Sequence, residues 1–257
     1  MSIAIVDIET PFITNLGVMA IEKIFCIGVT IDDQPTKLYS YVYHPLSSGT
    51  LNTALLAINS CDLAVFHNGC KFDIPVLEHL LGAITVPIHD TLIISKLMFT
   101  KDQLLDIDLN IPDFPKALYG SYSLKAFGYR LGVNKGEFTD FSEFCTDMMT
   151  YLEQDCIVTK ALYSMLRSQP SFPAQNIIDL EQEVASLIFQ QEVNGFYFDI
   201  DAATTLNTKM LFEKQALQRK LQKTFRPQFL PNGPVTTPAK PMRRKRYIKD
   251  ENYTNKW

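Results

Sequence analysis

Four short stretches in the first quarter of the chain, residues 3–8, 24–31, 37–43 and 63–66, alternate apolar with polar positions or run apolar without a break. Runs of this length, rich in Ile and Val, predict strands, and Asp32-Asp33-Gln34-Pro35 supplies a turn between the second and third. Helical spacing then appears at residues 74–81, closed by Gly82, at a short segment that Ser123 caps and Gly132 ends, and at residues 148–166, closed by Ser168-Gln169-Pro170. Strands interleaved with helices predict an α/β domain around a central sheet. Past Pro173 the pattern is helical over residues 177–191 and 202–225, with an Asn194-Gly195 turn and a short extended piece between them. From Arg226 onward, prolines among basic residues predict an extended linker.

The first strand breaks its own apolar pattern with Asp7 and Glu9. Alternation sends Ile3, Ile5, Asp7 and Glu9 to one face and Ala4, Val6 and Ile8 to the other, so the two acids are neighbours. Like charges side by side in a desolvated site raise a pKa or require a compensating cation. A bound metal meets that requirement; a solvated strand end is the other reading. Asp73 opens the helix in "FHNGCKFDIPVL", where an acid also suits the helix dipole. Tyr151 and Asp155, in "YLEQDCIVTKAL", stand four apart and share a helix face, as many surface pairs do.

Composition excludes several classes. With 257 residues, 46% hydrophobic and 20% charged, the chain fits one or two globular domains. No apolar run approaches the roughly 20 residues that span a bilayer, and residues 1–9 lack a secretory leader, so no membrane association and a cytoplasmic location are expected. Five cysteines without a C-x-x-C pair disfavour zinc and disulfides, and they read as small buried hydrophobes. Residues 226–257 hold eight Lys/Arg against two acids, net +6, while the other 225 residues hold 16 basic and 26 acidic side chains, net −10. Arg243 to Arg246 is a phosphate-binding patch or a solvated end.

The three acidic motifs occur in the order D-x-E, N-x-x-x-F-D and Y-x-x-x-D, and together they resemble the 3′–5′ proofreading exonuclease domain of family-A DNA polymerases, in the tyrosine subclass of the four-carboxylate exonucleases. "DTLIISKL", "GSYSLKAFGYRLGVNKGEF" and "QEVNGFYFD" extend the resemblance to the DNA polymerases of short-tailed bacteriophages, over about residues 3 to 225. The resemblance implies a ribonuclease-H-like fold, with a mixed central sheet flanked by helices and followed by a helical extension. The expected organisation is an exonuclease domain over residues 1–172, a helical extension over 173–225 and a basic Pro-rich tail over 226–257.

It also implies a metal site of Asp7, Glu9, Asp73 and Asp155 holding two Mg²⁺ or Mn²⁺ ions, with Asp7 between them and Tyr151 orienting the attacking water. Asn68 and Phe72 are candidates for contact with the terminal nucleotide, and Lys125, Arg130, Arg243 and Arg244 for contact with phosphate. Asp90, in "HDTL", reads as a helix cap, and His67 as a buried structural histidine. The expected partners are a single-stranded DNA 3′ end or primer terminus and a polymerase domain or subunit. No counterpart of the polymerase's own nucleotide-binding motifs stands in the chain, so it is not expected to synthesise DNA. The rival readings are an exoribonuclease built on the same acids and a DNA-binding subunit that docks on a polymerase.

Overall fold

The computed structural model describes residues 1–11, 17–133 and 138–225. Its sheet has five strands: β1 (Ile3–Glu9), β2 (Cys26–Ile31), β3 (Lys37–Ser40), β4 (Leu63–Phe66) and β5 (Ile88–Asp90), in the order β3-β2-β1-β4-β5. β2 pairs antiparallel with both β1 and β3, while β1–β4 and β4–β5 are parallel. The sheet is mixed, as the resemblance implies. A parallel pair needs a crossover longer than a tight turn, and α1 (Leu51–Asn59) and α2 (Asp73–Leu80) lie on the connections into β4 and β5.

Side-chain alternation along β1 divides the core. Ala4, Val6 and Ile8 join Ile27 and Val29 of β2 against Ala54 and Ile58 of α1 and Val76 and Leu77 of α2. Ile5 faces the other way and packs with Ile94 of α3 (Thr91–Met98), Phe127 of α5 (Leu124–Leu131), and Val158 and Leu162 of α6 (Thr146–Ser168). Asp7 and Glu9 follow Ile5 in this alternation, so they stand on the side of the sheet that α6 covers.

Where local chemistry is strong the elements begin and end as expected. Ser123 caps α5 by accepting from the Ala126 N–H, and Gly132 closes it in the left-handed region at φ 66°. The third strand stops at Ser40, and residues 195–199 form no strand. β5, α1 and α4 (Lys101–Leu109) have no counterpart among the expected elements, and α3 was foreshadowed only by its cap, Asp90. Three residues are too few for β5 to show a period, whereas α4 does carry a legible signal: Thr100 and Gln103 form a reciprocal capping box.

The chain divides into two compact units, Met1–Gly195 and Phe196–Trp257. The first unit runs past the expected boundary at residue 172 because α7 (Gln175–Asn194) is stitched to the sheet edge. Gln182 accepts from the Asp90 N–H at 2.7 Å and donates to the Ile88 carbonyl at 2.8 Å, and Ile178 is fully buried. In the second unit, α8 (Ile200–Thr224) buries none of its residues. Among the described residues no helix is long and apolar enough to cross a membrane. The basic tail, with Arg243 and Arg244, lies outside the described residues.

His89 of β5 ties α7 to α6. Its Nε2–H donates to Gln175 Oε1 at 3.0 Å, and its Nδ1 accepts from the Tyr163 hydroxyl at 2.8 Å. Burial lowers the His89 pKa; the Gln175 hydrogen bond and Asp179 oppose the shift, and Arg167 adds to it. The unfolded chain therefore binds the extra proton first, and stability falls as pH drops below about 6.5. The buried Asp73 carboxyl, whose pKa is raised, acts in the opposite sense over this range, so the His89 contribution is read as a difference: in thermal melts between pH 7.5 and 5, His89→Gln should gain stability relative to the native protein as pH falls, with faster hydrogen exchange in native α7 as the acid-side sign.

Candidate active site

The acids come from three separate elements. Asp7 and Glu9 lie two residues apart on β1, Asp155 projects from the middle of α6, and Asp73 opens α2. One carboxylate oxygen each of Asp7, Glu9 and Asp155 lies within 4.8 Å of the others. Glu9, Asp73 and Asp155 are all buried, and Asp7 is partly so. Asp73 is not in that tight trio, yet it borders it: the backbone amide of Ile8 in β1 and the Asp155 carboxylate both act on its charge. Burial, with the charges of Asp90 and Asp155, pushes the Asp73 pKa up to about 7. Desolvation is the largest cause, and the neighbouring acids add to it.

The donor set fits a hard divalent ion. All four groups are carboxylates, the ligands that Mg²⁺ and Mn²⁺ prefer over soft ones. Cys26 and Cys156 lie close by, but burial and the nearby carboxylates push both thiols up, so they remain protonated and are poor ligands. Asp7, Glu9, Asp73 and Asp155 are the residues that would hold the ions.

Each acid is fixed by local structure. The turn leading into α2 is held by Asp90, whose carboxylate accepts from the N–H groups of Asn68 at 2.9 Å, Cys70 at 3.1 Å and Leu92 at 2.9 Å. Asp90 thus caps α3, as expected, and also pins the approach to Asp73. Asn68 sits in this turn in the left-handed region at φ 65°, a conformation Asn tolerates better than most residues. Phe72, half-buried, packs on the core cluster shared by β1 and α2. His67 Nδ1 meets the Thr91 hydroxyl at 2.9 Å, which agrees with a structural role. On α6, Tyr151 stands one turn before Asp155, with its ring 5.8 Å from that of Phe138 and 6.2 Å, edge-on, from that of Phe141. Lys125 lies half-buried on the first turn of α5.

Arg130 is a correction. It was expected at phosphate, but its side chain is 6% exposed and fully engaged. Nε and Nη2 donate to Asp108 at 2.7 and 2.9 Å, Nη1 donates to the Ser121 carbonyl at 2.7 Å, and the guanidinium lies 4.8 Å from the Phe127 ring centre. Asp108, wholly buried, also accepts from the Gly120 N–H. This is a buried pair that closes the loop between α4 and α5. Cys145 is a second correction: it is exposed, while the other four cysteines are buried.

With this geometry in place, the sequence is 31% identical over 274 aligned positions to the DNA-directed DNA polymerase of Escherichia phage T7, covering 88% of this chain. The chain is homologous to part of a phage DNA polymerase. The corresponding protein of Enterobacteria phage T3 is also 31% identical, over 83% of this chain. The chain spans only 38% and 37% of the lengths of these two relatives. No family model matches the sequence. Among solved structures, Brucella melitensis NrnC with bound Mg²⁺ is 18% identical at a TM-score of 0.44, covering 74% of this chain and 80% of that one.

The Arg130 pair yields a stability prediction. Removing one partner of a buried ion pair leaves the other charge without compensation, which costs about 3–5 kcal/mol. Asp108→Ala should lose about that much in urea unfolding. Arg130→Ala should be similarly unstable.

Proposed function

We propose that the chain is a metal-dependent 3′–5′ exodeoxyribonuclease that trims a single-stranded DNA end or an unpaired primer terminus. In this reading it uses two Mg²⁺ or Mn²⁺ ions and serves a phage DNA polymerase in the host cytoplasm. The observation that carries it is the convergence of Asp7, Glu9 and Asp155, with buried Asp73 beside them, in a chain related along most of its length to DNA polymerases.

When bound, divalent ions supply charge neutralisation at the phosphate and activation of water. The protein's own part is placement. Asp7 and Asp155, on elements facing each other across the sheet surface, hold the reacting phosphate's counter-charge in one place. Tyr151, braced by Phe138 and Phe141, orients the attacking water through its hydroxyl. A phenol is a poor general base, so orientation is the role that suits it. Asn68 and Phe72, just ahead of Asp73, contact the terminal nucleotide, and Lys125 contacts phosphate. Arg243 and Arg244 add affinity that does not depend on base sequence.

A polypeptide partner is supported by apolar residues at helical spacing. Leu180, Val184 and Leu187 on α7 are exposed, as are Leu206, Met210, Leu217 and Leu221 on α8. Such apolar stretches mark interaction surfaces.

A 5′-labelled single strand incubated with Mg²⁺ should shrink one nucleotide at a time from its 3′ end, and EDTA should stop the reaction. Internal cuts, shortening from the 5′ end or cleavage in EDTA would contradict the proposal. RNA of the same sequence, run in parallel, should be degraded more slowly. Asp7→Ala should remove activity while leaving the fold intact. Tyr151→Phe keeps the ring contacts and loses one hydrogen bond, so its rate should fall by a factor on the order of 10²–10³.

A further inference from the structure

α6 carries two adjacent ridges. Tyr151 and Asp155, the latter one of the acid trio, form one, and Leu152 and Cys156, each one residue on, form the other. Leu152 and Cys156 are fully buried, and they rest on β2 at Gly28. A methyl group built on Gly28 would lie 2.7 Å from Cys156 Sγ, 3.1 Å from Leu152 Cγ and 3.4 Å from Leu152 Cδ1. In the sheet register Gly28 is the residue paired with Asp7. The place where the helix comes down on the sheet is therefore beside the strand residue of the acid trio, and a glycine inside a strand marks such close backbone approach.

We propose that Gly28 is a positioning residue that sets the separation between the strand-borne acids Asp7 and Glu9 and the helix-borne pair Tyr151 and Asp155. It touches no substrate or ion and acts by letting α6 sit directly on β2. Any side chain at this position wedges the helix outward. Cys156 has a single side-chain torsion in a filled interior, so it has little room to swing aside, and Leu152 meets the new group through its branch carbon rather than a free end. The trio, with oxygens now within 4.8 Å of each other, would open. The inference rests on the proposed metal site.

Other strands of the sheet offer no equivalent. Gly69 is also crowded, since an added methyl would lie 2.4 Å from Phe66 Cβ, but its neighbour belongs to β4 next to it in the chain and carries no acid.

The test is Mn²⁺ binding by calorimetry, which needs no DNA and no turnover. Wild-type protein should bind Mn²⁺ and Asp7→Ala should not; absence of wild-type binding would sink the metal site itself and, with it, this inference. Given wild-type binding, Gly28→Ala should weaken Mn²⁺ affinity by about 10–100-fold, the range seen when groups supporting metal ligands are disturbed. Gly28→Ala combined with Cys156→Ala removes the obstructing sulfur and should return affinity to within about threefold of wild type. Cys156→Ala alone should leave affinity unchanged, as should Ile178→Ala, a core truncation in α7 that lowers stability away from the site. Unchanged affinity in folded Gly28→Ala, or a loss that the second substitution does not rescue, would overturn the assignment. If Gly28→Ala does not fold, Cys156→Val adds bulk from the helix side. Weakened Mn²⁺ binding in that variant supports the wedge, and full affinity refutes it.

Discussion

Crowding of like charge governs this molecule. Asp7, Glu9 and Asp155 bring their carboxylates within one ion's reach, and Asp73 is buried against them. Such an arrangement opposes folding, because each carboxylate loses solvation and gains a repelling neighbour. It survives because each acid is held by an element anchored elsewhere. β1 is locked between β2 and β4, α6 is buried along most of its length, and the turn before α2 is pinned by Asp90. Burial and the neighbouring acids together disfavour the charged form of Asp73.

The acids could be read in the sequence because their positions contradict their surroundings. Asp7 and Glu9 interrupt an apolar strand, and alternation alone puts them on one face. Helical spacing put Tyr151 and Asp155 on one face, but only the resemblance carried by the three motifs together set them, with Asp73, apart from an ordinary surface pair. Arg130 was misplaced for an instructive reason: a basic residue among aromatics on a short helix looks the same whether it faces phosphate or a buried acid. The deciding partner, Asp108, lies 22 residues away on α4, a helix absent from the expected elements. The same limit hid β5. Three residues carry no period, and the strand exists because β4 and Gln182 of α7 satisfy its backbone from either side.

Gln182 and Gly28 are the residues whose importance is least visible in the chain. A glutamine on an amphipathic helix reads as solvent-facing, yet here it satisfies two backbone groups of a sheet edge, and so moves the boundary of the first unit to the end of α7. Gly28 interrupts β2 with no turn nearby. That absence of a side chain was the available signal, and its meaning came only with the helix seen above it.

The exposure of Cys145 gives the protein a built-in handle. Four thiols are buried, and at Cys26 and Cys156 burial and nearby carboxylates hold the sulfur protonated and unreactive. Cys145 stands at the first cap of α6, ahead of Tyr151 on the same helix. A maleimide dye or nitroxide added to the unmodified sequence would therefore settle mainly at one place, close enough to α6 to report its movements, with no cysteine engineered in or out.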